Sequence, residues 1–511
     1  MKAFIGASFA SLLTVTLAVD MRDVLRVDTT GGTVLGFING TTPHVRQFLS
    51  VPYAQPPVGE LRWMPPQPLN DSNRLIDATR FGPSCPQQPA SGSSIASADA
   101  PLELLQGGFD EDCLTLAIWA PVESHGKLLP VYLWIYGGGY ETGGINTPSQ
   151  EAAHWVERTR SHVVVAMNYR TNIFGFPGAP GLEEQNLGLL DSREAVVWAR
   201  DNIAGFGGDP DRMVLWGQSS GAGSVDMLNF AFPDDPIVSG FIADSGSVFL
   251  YNQKDDPLYS NFTVVADYFN CSSSSSEEEL ACMRRIPYQD IEDFLGNYTG
   301  GTLNFVPFVD DKVIFANWSD RYALGALSDR PAIFGSNLLE GNQIVSYPDP
   351  PDSAPDFNES RYFTLHAFQC PAALTSQYRE ALNLTTFRYQ YRGNFSDISP
   401  RWWEGAYHGS ELPLIFGTYV DFSGPTTPME VQTSQTLQDL WLAFGYDPAQ
   451  GVKQHGWQPY GEGKIEVFAG YDSQGQVQTM QAVASQSVDG VCVGAIDADI
   501  LSGENPFSSF S

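Results

Sequence analysis

Between residues 114 and 243 the chain alternates short, almost wholly apolar runs with longer stretches whose apolar residues recur at helical spacing. Leu114–Trp119, Val131–Tyr136, Val163–Asn168, Val214–Trp216 and Phe241–Ala243 are the short runs. The second is unbroken (Val131-Tyr132-Leu133-Trp134-Ile135-Tyr136), as expected of a strand covered on both faces. Gln150–Thr159, Leu187–Ile203 and Ser220–Asn229 carry the helical pattern. Strand–helix alternation of this kind predicts an α/β protein with a large, mostly parallel sheet flanked by helices.

Upstream, Val24–Val27, Thr33–Ile38 and Arg46–Val51 read as short strands broken at Gly31-Gly32 and Asn39-Gly40. A proline-rich loop from Pro52 to Pro68 follows, then a Ser/Ala-rich stretch, Pro89 to Ala100, between Cys85 and Cys113. Downstream, Pro331–Gly335 reads as a strand, and Phe363–Leu382 and Glu430–Phe444 as helical. The rest is mixed and shows no internal repeat. Ser272–Ser276, between Cys271 and Cys282, reads as a solvated loop.

Composition narrows the partners. Of 511 residues, 27 are Lys or Arg and 59 Asp or Glu, a formal charge of −32 that repels phosphate backbones and excludes a nucleic-acid binder. Lys2, the apolar stretch from Phe4 to Leu17 and the small-x-small site Thr16-Leu17-Ala18 read as a signal peptide over residues 1–18. No later segment is long and apolar enough to span a bilayer. Export agrees with an even count of six cysteines and with nine Asn-x-Ser/Thr sequons. The sequons stand at Asn39, Asn70, Asn261, Asn270, Asn297, Asn317, Asn358, Asn383 and Asn394. A secreted, extracellular glycoprotein is expected. Without a Cys-x-x-Cys pair, no metal is called for.

One pentapeptide carries chemistry. Gly217-Gln218-Ser219-Ser220-Gly221 follows an apolar strand and opens a helical stretch, the setting in which a serine is held on a strained turn as a nucleophile. A phosphate cradle is the rival, but no lysine follows at the required place. Gly137-Gly138-Gly139, after the buried run ending at Tyr136, lets backbone N–H groups face a ligand without a Cβ in the way. Gly138, Gly139 and the N–H of Ser220 are therefore candidates for an oxyanion hole, in which each donor contributes about 3–4 kcal/mol to the transition state. His366, His408 and His455 follow the serine and compete as its base.

Together these motifs resemble the type-B carboxylesterase/lipase family of α/β-hydrolases, which includes the cholinesterases. Further matching segments are Glu111-Asp112-Cys113-Leu114, Asn168-Tyr169-Arg170, Asn186-Leu187-Gly188-Leu189-Leu190-Asp191, Asn202 to Pro210, Asp244-Ser245-Gly246-Ser247 and His408-Gly409-Ser410-Glu411-Leu412-Pro413. The resemblance implies one domain over residues 19–511 and a cofactor-free carboxylic ester hydrolase working through an acyl-enzyme. Its substrate is a small-molecule or lipid ester. It also implies His408 as base and, from Phe334-Gly335-Ser336-Asn337-Leu338-Leu339-Glu340-Gly341, Glu340 as acid, ahead of Asp310 and Asp311. The pairings it implies are Cys85 with Cys113, Cys271 with Cys282 and Cys370 with Cys492.

Two departures stand out. Gln218 occupies a position where many relatives carry Glu, and the Cys85–Cys113 loop holds no tryptophan. Without that indole a quaternary ammonium lacks its cation–π platform, which argues against a cholinesterase. The apolar residues of that loop, Ile95, Leu102, Leu104, Leu105 and Phe109, suit either a lipid-facing lid or one packed down over the cleft. A transesterifying acyltransferase and a non-catalytic adhesion protein are the alternatives from other classes. Oligomeric state is left open.

Overall fold

Fourteen strands and their helices are laid out in a computed structural model that describes residues 24–69, 74–89, 92–123, 126–250 and 258–493. The leader expected over residues 1–18 and the sequon at Asn70 lie outside the described residues. A small sheet joins β1 (Arg26–Thr29), β2 (Gly32–Leu35) and β5 (Leu75–Asp77). The remaining strands are β3 (Phe37–Ile38), β4 (Val45–Pro52), β6 (Thr115–Pro121), β7 (Leu129–Ile135), β8 (Val163–Met167), β9 (Gly208–Gln218) and β10 (Gly240–Asp244), then β11 (Ala332–Asn337), β12 (Thr386–Tyr391), β13 (Lys464–Tyr471) and β14 (Val477–Ala484). They form one eleven-stranded sheet in the order β3-β4-β6-β8-β7-β9-β10-β11-β12-β13-β14. From β8 across to β13 the neighbours are parallel; the outer pairs are antiparallel.

The central strands are apolar because both faces are covered. Every residue of β7 and β8 is buried. The cover of the sheet includes α1 (Leu187–Asn202), α2 (Ser220–Ala231), α3 (Cys370–Ala381) and α4 (Pro428–Tyr446). Helix α4, expected over Glu430–Phe444, opens two residues earlier with a reciprocal cap in which Thr427 and Glu430 each bind the other's backbone N–H.

Four expectations need correction. The Thr33–Ile38 strand is two pieces, β2 and β3, which turn off into different sheets. The Val214–Trp216 strand is eleven residues long, because Gly208 already pairs with Leu129. The Phe363–Leu382 helix begins at Phe357 and is broken by a wide π-type turn over Thr364–Gln369 before α3. Strands β12, β13 and β14 were not expected at all. Strand β12 reads Thr-Phe-Arg-Tyr-Gln-Tyr yet is wholly buried, since Arg388 donates to Ser336 Oγ (2.8 Å) inside the protein.

Disulfides join Cys85 to Cys113, Cys271 to Cys282 and Cys370 to Cys492, closing separations of 28, 11 and 122 residues. Of the described sequon asparagines, Asn39, Asn270, Asn297, Asn317, Asn358, Asn383 and Asn394 are exposed. Asn261 is half-buried and its amide donates to Asn304 O (2.8 Å). No helix among the described residues is long and apolar enough to cross a membrane.

Candidate active site

Strand β9 delivers Ser219 to the carboxyl edge of the sheet, where α2 begins one residue later. Its φ of 56° is rare for a residue with a Cβ, and it is held there by neighbours that admit nothing larger than glycine. A Cβ on Gly217 would lie 2.5 Å from the Gly221 carbonyl, one on Gly221 2.1 Å from Ile135 O, and one on Gly246 2.4 Å from Ser219 O. The Ser219 N–H donates to Asp244 O (2.9 Å), which ties the turn to the end of β10.

Glu340 lies just past β11 and is fully buried. One carboxylate oxygen accepts from Ser245 Oγ (2.6 Å) and from the Asn337 N–H (2.5 Å); the other meets His408 Nδ1 at 2.7 Å. Two more carboxyls press on this one. Burial pushes Asp244 up to about 7, against the opposing pull of its hydrogen bonds from Trp216 and Tyr389. Burial, with Asp244 and Glu340 as neighbours, pushes Glu411 well above the carboxylate range. Both stay protonated in mildly acidic water, and the Glu340 oxygen pair, which receives three donors, orients the imidazole. The wide turn after Phe363 sets the Phe368 ring against His408, centroids 4.4 Å apart.

Gly138 and Gly139 have φ of 110° and 68°, a left-handed backbone that a Cβ disfavours. A Cβ on Gly138 would also sit 2.3 Å from Thr142 O. The Gly138 carbonyl accepts from Thr142 N (3.0 Å), which turns the glycine run around. The N–H groups of Gly138, Gly139 and Ser220 donate to no protein group among the described residues. These donors stand on the glycine run and at the start of a twelve-residue helix whose first residue follows the strained serine.

The serine hydroxyl itself makes no hydrogen bond among the described residues. His408 Nε2 instead faces the Gln218 side-chain nitrogen at 3.1 Å. His366 bonds Tyr362 O on its own turn, and His455 is exposed at the end of Val452–His455. Asp310 binds Asn186 and the N–H groups of its own loop.

A cleft of about 620 Å³ opens over His408, Gln218 and the glycine run. Gln87, Gln88, Glu103, Thr142, Gln150 and Gln343 are among its lining, so polar groups face the cleft from several elements. The Cys85–Cys113 loop forms its roof. Ile95 is buried, Leu102 packs on the core, and Leu104, Leu105 and Phe109 are half-buried and line the cleft. Two acids hold the roof down: Asp99 takes Arg401 (2.8 Å) and Tyr347 OH (2.5 Å), and Glu103 takes Tyr407 OH (2.6 Å). Burial pushes Glu103 up to about 7.

Sequence reading had no means to find the parts that span the chain. Ser245 stood in a matched segment without a role, because its partner lies 95 residues away. Glu103 and Asp99 drew no reading from the sequence; only the roof's docking onto Tyr347, Arg401 and Tyr407 gives them partners.

Comparison with known proteins gives four concordant likenesses. The carboxylesterase family model matches residues 23–363. A chlorogenic acid esterase of Aspergillus niger is 45% identical over 84% of this chain and 83% of its own length. A protein of Gibberella zeae named secreted lipase 5 is 35% identical over 89% of this chain and 92% of its own. An acetylcholinesterase of Bungarus fasciatus is more distant, at 27% over 85% of this chain and 81% of its own.

Proposed function

Because the chain belongs to the carboxylesterase family and is a carboxylic ester hydrolase with the α/β-hydrolase fold, we propose that Ser219, His408 and Glu340 are its nucleophile, base and orienting acid. Gly138, Gly139 and Ser220 supply the oxyanion donors. The observation that carries this is the 2.7 Å contact of His408 Nδ1 with Glu340, beside three unpaired N–H groups and a serine at φ 56°. With its proton on Nδ1 the imidazole presents a lone pair at Nε2. That nitrogen takes the Ser219 proton as Oγ attacks the ester carbonyl, and the oxyanion settles among the N–H groups. The imidazolium then protonates the departing alcohol, and water releases the acid by the same steps in reverse order. Hydrogen bonds of this kind commonly tighten only once substrate is bound.

For the substrate we infer a soluble ester bearing hydroxyl groups, with chlorogenic acid, the ester after which one relative is named, as the first to test. The polar cleft lining and the roof held by Asp99 and Glu103 support it. Acylglycerol hydrolysis is the second reading, favoured by Leu104, Leu105 and Phe109 at the cleft and by the relative named a secreted lipase. The leader over residues 1–18, the sequons and the disulfides support secretion, with residues 19–511 as one domain. Turnover of chlorogenic acid and of emulsified triglyceride, measured across the solubility limit of each, separates the substrates. A jump in rate at the lipid interface, with no turnover of the soluble ester, would overturn the first.

A further inference from the structure

Gln218 ends β9 and immediately precedes the nucleophile, and it is 5% exposed. Its side chain runs between the glycine run and the base. The carbonyl oxygen lies 2.9 Å from where a Cβ on Gly137 would stand, and the amide nitrogen is 3.1 Å from His408 Nε2. Glu340 sits on the other ring nitrogen, so the hydrogen of the neutral imidazole is on Nδ1 and Nε2 carries a lone pair. An amide nitrogen has only hydrogens to offer it, so Gln218 donates and His408 accepts. The Ser219 hydroxyl needs that same lone pair and makes no hydrogen bond among the described residues. One lone pair accepts one donor at this angle, so the amide and the hydroxyl exclude each other.

We propose that Gln218 is a positioning residue that caps His408 Nε2 in the free enzyme, yields the lone pair to Ser219 when substrate enters, and, by carrying no charge, places no counter-ion against the ring at Nε2. This rests on His408 being the base of the proposed triad. Releasing the cap takes only a rotation of the Gln218 side chain about its own bonds, with no backbone movement. The ionisable groups around the ring come from each element packed on it. Glu340 follows β11; Asp244 and Glu411 stand behind Glu340; Glu103 lines the same cleft from the roof; Phe368 contributes an apolar face. None of these acids sits at Nε2. A carboxylate at position 218 would, and an opposite charge at that range favours the protonated ring by about 1–3 pH units.

The test is the pH profile of kcat/KM on a soluble ester for the wild type, Gln218→Glu and Gln218→Met, with the rate of labelling by a small fluorophosphonate. The acid limb of Gln218→Glu is expected to move at least one pH unit to higher pH; a limb within 0.3 unit of wild type overturns the charge argument. Gln218→Met keeps the length without a donor, so Ser219 gains the lone pair and labelling is expected to run several-fold faster than wild type at neutral pH. Labelling ten-fold slower overturns the cap. His408→Ala keeps the two failures apart: if it is labelled like the wild type, the triad itself is wrong, whereas an unlabelled His408→Ala with an unmoved Gln218→Glu profile removes only the role of Gln218.

Discussion

At the scale of single residues, the site is a set of atoms that small changes disable in distinguishable ways. Ser219→Ala should abolish fluorophosphonate labelling and ester turnover while leaving thermal unfolding where it was, because a buried hydroxyl without a partner is lost at little cost. Glu340→Gln keeps the shape but replaces one acceptor oxygen with a donor facing Ser245, Asn337 and His408. Turnover should fall by about 10³–10⁴-fold as the imidazole loses its tautomer and its counter-charge. Gly138→Ala attacks a third function. Its Cβ would strike Thr142 O and rotate one N–H away from the oxyanion. A loss of about 10²–10³-fold in kcat with KM little changed is expected, and equal losses in kcat and affinity would point to a binding role instead.

At the scale of elements, the roof and the disulfides decide what moves. Burial works against ionising Asp99, but its hydrogen bonds from Arg401 and Tyr347 outweigh this and hold it below the usual carboxylate range. Asp99→Asn weakens that clamp from the loop side without touching the cleft. Amide hydrogen exchange across residues 92–112 should then speed up while the central strands stay protected. Unchanged exchange there would mean that packing of Ile95 and Leu102 alone holds the roof. The disulfides differ in the loops they close. Removing Cys370–Cys492 frees a 122-residue separation and removing Cys271–Cys282 only 11, so paired serine substitutions should differ in cost by about 2 kcal/mol, the longer being worse. Denaturant midpoints of the two double variants read this directly.

At the scale of the whole molecule, acidity governs stability. Burial pushes Glu103, Glu151, Asp244 and Glu466 up to about 7, and pushes Glu404 and Glu430 up as well. An unfolded chain releases these protons near pH 4, so between there and pH 7–8 the folded state binds more protons than the unfolded one. Stability contributed by the neutral forms is therefore complete below about pH 4 and is lost as pH rises through about 7. Self-repulsion from a formal −32 acts in the same direction. The melting temperature should be several degrees higher at pH 5 than at pH 8. A higher value at pH 8 would mean that these carboxyls are ionised in the folded state.

What the sequence determined by itself was local. Unbroken apolar runs marked β7 and β8; the glycines around Ser219 and at 137–139 marked turns, because the backbone freedom of a residue without a Cβ is a property of that residue itself. Length misled where partners were distant: β9 extends back to Gly208 because Leu129 pairs with it, and β12 hides a buried Arg388 that Ser336 satisfies. Tertiary structure alone decided that Ser245 and Asn337 converge on Glu340, that the roof is clamped through Asp99 and Glu103, and that a neutral amide stands at Nε2 of His408. Those are interactions between polar groups far apart in sequence. Their energies depend on burial and on angle, and neither quantity exists until the chain has folded.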